Sequence, residues 1–144
     1  MNTEIKLTEV FCDNFLNYYR IHSIHFNITG ENFAANHKLL QKMYEDAQQA
    51  IDDLGELIRS MGAYAPMNIT EILARADLGD DTTEEGWRYE LELVLAGQHH
   101  MIDTYKDLDR IAGLEDESDI ANYAQDRIRT HKKYAWMLQS ILDN

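Results

Sequence analysis

Apolar residues recur along this chain at intervals of three and four, the spacing of helices that each bury one face. The pattern is clearest over residues 37–61, where Leu40, Met43, Ala47, Ala50, Leu54, Leu57 and Met61 form one seam. It predicts a helix from about Asn32 to Met61, halted by Gly62. Upstream, Leu7, Val10, Phe11, Phe15, Tyr18, Tyr19 and His22 recur at the same spacing. They predict a first helix from Glu4 to Ile28, ending before Thr29-Gly30. The connection from Gly62 to Asp81 holds the single proline, Pro66. Within it Asn68-Ile-Thr-Glu71 is a capping signature for a short helix, Glu71 to Ala76. Thr82-Thr-Glu-Glu85 repeats that signature and opens a third long helix, which runs to about Ala112 and stops at Gly113. The acidic run Glu115-Asp-Glu-Ser-Asp119 leads into a fourth, which continues to about Leu142. The expected fold is all-α: one domain over residues 1–144, a four-helix bundle with a short helix between its second and third long helices. That crossover makes the second and third helices parallel.

Composition narrows the class. Seven glycines and one proline favour long helices, and 44% hydrophobic residues argue against disorder. A lone cysteine, Cys12, forms no intrachain disulfide, which fits a reducing compartment. The start, MNTEIKLTEV, lacks a basic segment followed by an apolar run, and no stretch approaches membrane-spanning length. A soluble, cytoplasmic protein without membrane contact is therefore expected. The net charge of −13, from 26 acidic and 13 basic residues, disfavours nucleic acid as a partner, since phosphate binding needs clustered Lys and Arg. No basic tail is present: the N-terminal stretch offers Lys6, and the chain ends Asp143-Asn144. An acidic field attracts cations, although most such charges simply keep a surface solvated.

Cation chemistry has a candidate location. At ~100° per residue, His37, Gln41, Asp52 and Glu56 share one side of the second helix, and His25 lies just upstream. From His37 to Asp52 the helix rises ~22 Å, so these groups cannot chelate one ion together. If they bind metal, the two halves come from two antiparallel chains, most simply in a symmetric dimer with two equivalent sites. An intra-bundle di-iron centre with Glu-x-x-His pairs is excluded. The residues three before His22, His25, His37, His99, His100 and His131 are Tyr19, His22, Ala34, Ala96, Gly97 and Ile128, none of them acidic. Mixed imidazole and carboxylate donors suit Fe(II). An acidic pair one turn apart also describes a solvated face, and a single helical histidine is commonly a packing residue. Adjacent helical residues diverge by ~100°, so at most one of His99 and His100 faces any one site. Cys12 reads as a small buried residue, and Tyr18, Tyr19, Tyr44, Trp87, Tyr89, Trp136 and Met137 as core or interface packing.

The stretch His22-Ser-Ile-His25-Phe-Asn-Ile-Thr-Gly30, with Phe33, His37, Tyr44, Asp52-Asp-Leu-Gly-Glu56 and Gly62, resembles the Dps family of miniferritins. That family's signature is a His-Trp with a nearby Gly, a second His twelve residues on, and an Asp-x-x-x-Glu fifteen beyond. All three spacings occur here, and His131-Lys-Lys-Tyr-Ala-Trp-Met-Leu138 is similar to the family's last helix. The resemblance implies a ferritin-like bundle, a hollow homo-oligomeric shell of twelve subunits, and iron-oxidising centres at two-fold interfaces. It also implies hydrogen peroxide as oxidant, a stored ferric core and protection against oxidative damage. His25 and His37 of one subunit would then act as metal ligands and catalytic residues together with Asp52 and Glu56 of its mate. The run Glu115, Asp116, Glu117 and Asp119 would line negative pores through which iron enters; the same residues also suit a solvated loop beside a helix N-terminus. Two positions depart from the pattern. Gln41 stands where the family usually has Asp, which weakens a second iron position, and Phe26 replaces the usual Trp. Two functions follow: a ferroxidase that stores iron, or a shell with an impaired centre serving as cage or metal buffer.

Overall fold

The structure, a computed structural model, describes residues 1–79 and 85–143. Among these, every regular element is helical: α1 (Thr3–Asn27), α2 (Phe33–Ser60), α3 (Ile69–Arg75), α4 (Trp87–Leu114) and α5 (Ser118–Leu142). The capping signature predicted at Thr82-Thr-Glu lies outside the described residues. The third long helix begins later than predicted, at Trp87 behind Gly86, whose φ of 93° favours glycine. The cap predicted for α3 is present, with Asn68 Oδ1 accepting the Glu71 N–H at 2.8 Å.

Contacts at the helix ends fix the directions. The Glu115 carboxylate, just beyond α4, accepts the Thr3 N–H at 2.6 Å and the Thr3 hydroxyl at 2.5 Å. It thereby caps α1 with an anion where the helix dipole is positive. At the other end Trp87 packs against Gly30, so α1 and α4 run antiparallel. Asn14 of α1 donates to the Ala47 carbonyl of α2 at 3.0 Å, and Arg88 of α4 donates to the Leu142 carbonyl of α5 at 2.8 Å. Two antiparallel hairpins result, α1–α2 and α4–α5, with α2 and α4 parallel and α3 lying on α1. The predicted crossover bundle is the observed one.

The interior has two apolar clusters. One gathers Leu7, Val10, Phe11, Leu54, Ile58, Ile72, Met101, Tyr105, Leu108 and Ile120; the other gathers Ile21, Ile24, Ile28, Leu40, Met43, Leu91, Val94 and Leu138. The α2 seam differs from the predicted one in its last turn, where Ile58 is buried and Leu57 and Met61 are half-exposed. Trp136 and Tyr19 are not core residues; Trp136 is 67% exposed. Between the clusters lies a polar layer, with Asn14 and Asn17 from α1, Gln98 from α4, and Arg127 and His131 from α5, all buried. Arg127 meets the α2 residue Asp46 through two hydrogen bonds of 2.9 and 2.8 Å. It also donates to His131 Nε2 at 3.1 Å, and His131 Nδ1 donates to Gln98 Oε1 at 2.7 Å. Burial, reinforced by the Arg127 charge, holds His131 well below the usual histidine range.

A second polar contact pins the chain leaving α3. Asp13, 1% exposed, accepts the Asp77 and Leu78 N–H groups at 2.7 and 2.9 Å on one oxygen. Its other oxygen meets His100 Nε2 at 2.8 Å. His100 therefore belongs to this clamp, while His99 is exposed. The hydrogen bond to Asp13, partly opposed by burial, raises the His100 pKa.

Two predictions follow from this packing. A Cβ at Gly97 would lie 2.5 Å from Asn17 Oδ1, whereas Gly113 has open space around it. Gly97→Ala is expected to destabilise the protein by about 1–3 kcal/mol, and Gly113→Ala to be neutral or stabilising by up to ~1 kcal/mol. Urea unfolding of both variants checks this. Because His100 holds its proton more tightly folded than unfolded, its contribution is complete below ~pH 6.5 and fades as pH rises through the folded value. His100→Gln is therefore expected to cost ~1 kcal/mol more near pH 5.5 than near pH 8.5, read by the same unfolding assay.

Candidate metal centre

His25 sits in the last turn of α1 and His37 near the start of α2, brought together by the short connection through Thr29-Gly30. Each ring bonds the other residue's backbone. His25 Nδ1–H donates to the His37 carbonyl at 2.8 Å, and His37 Nδ1–H donates to the His25 carbonyl at 2.8 Å. The His25 carbonyl belongs to the last turn of α1, whose acceptors lack helical partners. A carbonyl can only accept, so both Nδ1 atoms must carry hydrogen, and on a neutral ring the lone pair resides on Nε2. The two rings stack with centroids 3.7 Å apart and planes 18° apart. Fixing one ring nitrogen to a backbone acceptor so that the other is a defined donor is how metal-ligating histidines are commonly oriented.

An aromatic shell surrounds the pair. Phe33 stacks on His37 at 5.0 Å, and Tyr44 meets His25 edge-on at 5.0 Å. His22 lies flat between Tyr44 at 3.8 Å and Phe26 at 4.4 Å, and bonds the Tyr18 hydroxyl through Nδ1 at 2.7 Å. Its pKa is lowered by burial and by the neighbouring His25. Phe26, in the place of the family's Trp, is 61% exposed, and Phe33 is also exposed.

Gln41 is exposed and donates from Nε2 to Glu45 Oε1 at 2.9 Å. With its nitrogen engaged, a weak carbonyl oxygen is what Gln41 can offer a metal. Asp52 and Glu56 are exposed one turn apart on α2. Glu56 shares an open hollow between α2 and α5 with Asp53, Asp119 and Tyr123. Among the described residues of one chain, no three His, Cys, Asp or Glu side chains are grouped closely enough to hold a metal. The acidic run is divided in its roles. Glu115 caps α1, and the bonds from Thr3 lower its pKa. Asp116, with φ of 58°, and Asp119 are exposed, and Glu117 is half-exposed.

Cys12 is buried, and burial pushes its thiol up to about 11, so it is unreactive at neutral pH. Sequence reasoning missed the Asp13–His100 clamp, the Arg127 layer and the Tyr18–His22 bond. The legible signal for the layer was Asn14 and Asn17, polar residues on the face between Val10 and Ile21 that the apolar seam shares.

Known proteins share this fold. The ferritin-like domain model matches residues 5–144. The chain is 24% identical over 143 residues to the "DNA protection during starvation protein" of Helicobacter pylori, covering 99% of each. It is 27% identical over 129 residues to the protein of that name from Brevibacillus brevis, covering 88% of this chain and 85% of the other. The crystal structure of the Dps protein from Vibrio cholerae, described as one of the ferritin-like diiron-carboxylate proteins, superposes with a TM-score of 0.93. That match is at 23% identity and covers 98% of this chain and 89% of the other. The chain belongs to the ferritin-like family, as a member of its Dps branch.

Proposed function

We propose that this protein is an iron-storing miniferritin that oxidises Fe(II) with hydrogen peroxide and keeps Fe(III) inside a cytoplasmic shell of twelve copies. The observation that carries the reading is the reciprocal His25–His37 exchange, which leaves two oriented imidazole donors on one wall. Asp52 and Glu56 of a two-fold-related copy would supply the opposing carboxylates, giving the mixed donor set that suits Fe(II). In this scheme Fe(II) is the substrate. Imidazole nitrogen and carboxylate oxygen bind it, and ionised carboxylates stabilise the ferric product more than the ferrous ion because its charge is higher. Asp116, Glu117 and Asp119 would draw cations toward pores between copies, with Glu115 contributing charge while it caps α1. Consuming peroxide and iron together would limit oxidative damage.

One observation favours a second reading, a shell with an impaired centre that serves as cage or metal buffer. Gln41, tied to Glu45, brings neither charge nor a strong donor to a second iron position. DNA would not be a partner of the bare protein, because a net charge of −13 opposes phosphate binding.

Anaerobic loading with Fe(II), followed by limiting peroxide, should give ferric absorbance far faster than protein-free solution. Asp52→Ala or Glu56→Ala is expected to slow this at least ~10-fold with the assembly intact by light scattering. Unchanged kinetics in both variants would remove the site assignment. Gln41→Asp distinguishes the two readings: a large gain in rate means that the natural centre is impaired. In a low-salt gel shift, clear retardation of DNA without divalent metal would contradict the charge argument.

A further inference from the structure

We propose that Glu45 is a positioning residue for the metal centre, a role that rests on the ferroxidase reading above. Its carboxylate holds the Gln41 amide so that oxygen, and not nitrogen, is offered to a second ion beside His37. An amide carries two unlike ends, a carbonyl oxygen that can bind a cation and an NH2 that offers it no lone pair. Half a turn of the group exchanges the two with almost no change of shape. A free glutamine on an exposed helix face presents either end, and one of them is useless to a metal.

Here the choice is made inside the chain. Gln41 Nε2 donates to Glu45 Oε1 at 2.9 Å. A carboxylate has no hydrogen to give, so it must take the amide N–H, and Oε1 is the end left over. Donation to an anion also pushes electron density from the amide nitrogen onto its oxygen, which makes that oxygen a better ligand.

The placement fits this use. His37, Gln41 and Glu45 follow one another at intervals of four on α2. Helical side chains lean toward the N-terminus, so Glu45 reaches back over the turn of Gln41, and Gln41 over the turn of His37. The His37 ring is set in the same way, its Nδ1–H tied to the His25 carbonyl and its other nitrogen left open. Glutamine–acid pairs four apart also occur elsewhere, Gln49 with Asp53 at 3.1 Å and Gln139 with Asp143 at 2.8 Å. Each gives its helix a small support. The Gln41–Glu45 pair differs in standing one turn from His37, and the Gln139–Asp143 pair of α5 provides a control.

The test uses the assembled protein and Fe(II) alone, anaerobically and without oxidant, with binding read by titration calorimetry. The wild type is expected to take two ions per centre, the second more weakly. Glu45→Ala should weaken the second by about 10-fold, the scale seen when a group that orients a metal ligand is removed, and leave the first unchanged. Asp143→Ala, which breaks the same kind of contact, should change neither. In Gln41→Asp the ligand is a carboxylate with two equivalent oxygens and needs no orienting, so adding Glu45→Ala there should not weaken the second ion. An equal loss in that background would mean that Glu45 acts as a ligand or through its charge alone, and would overturn the proposal. A second ion indifferent to Glu45→Ala, or a wild type that takes one ion per centre, would also overturn it, and either leaves the histidine–carboxylate centre standing. Fe(II) binding unchanged in both Asp52→Ala and Glu56→Ala would remove the two together.

Discussion

The bundle is organised around a guanidinium buried at its middle. Arg127 is held by two hydrogen bonds to Asp46 and gives a further one to His131, which in turn holds Gln98. Removing one partner of a buried ion pair strands the other, at a cost of about 3–5 kcal/mol when both are fully desolvated and less here because Asp46 keeps some solvent contact. The layer joins α2, α4 and α5 at one level and separates two apolar clusters that could otherwise slide past one another. It also sets the charge of the interior. The Arg127 charge is matched by Asp46, and His131, kept neutral by burial and by Arg127, is paired through both ring nitrogens.

The proposed metal site lies instead where the end of α1 meets the start of α2. There the same physical device, a polar side chain committed to a partner inside the chain, works to the opposite purpose. His25 and His37 each spend one nitrogen on the other's carbonyl and leave the second nitrogen oriented. The arrangement depends on the turn between them. Gly30 has φ of 117°, and a Cβ there would lie 2.8 Å from Trp87 Cδ1, so a larger residue would push α4 away from the connection that sets the histidine pair. The first residue of α4 in this way supports the connection between the two histidines, although it lies far from them in sequence.

One residue of the acidic run serves stability directly. Glu115 is engaged with the start of α1, and its lowered pKa means that this contribution is present above the usual carboxylate range and is lost as pH falls through the folded value. Histidines pull in both directions. His131 weakens the fold below ~pH 6.5, because the unfolded chain takes up the proton that the buried ring refuses, while the His100 contribution fades on the alkaline side.

How much was legible in the chain follows from the range of each interaction. The helices were readable because their causes are local: apolar spacing, the glycine stop at Gly62 and the Asn68 cap, although α4 runs through the predicted stop at Gly113 to Leu114. The crossover followed from the lengths of the helices and of the connection. His25, His37, Asp52 and Glu56 could be singled out by spacing and resemblance, and the rise of one helix already separated them into two halves. The sequence could not reveal that the two histidines exchange hydrogen bonds, that Tyr18 bonds His22, or that Asp13, His100 and Arg127 are buried and paired. Nor could it show Glu115 capping a helix 112 residues away. Each of these depends on the distance and angle at which two helices meet. Periodicity fixes which face of a helix turns inward, but not which partner that face finds.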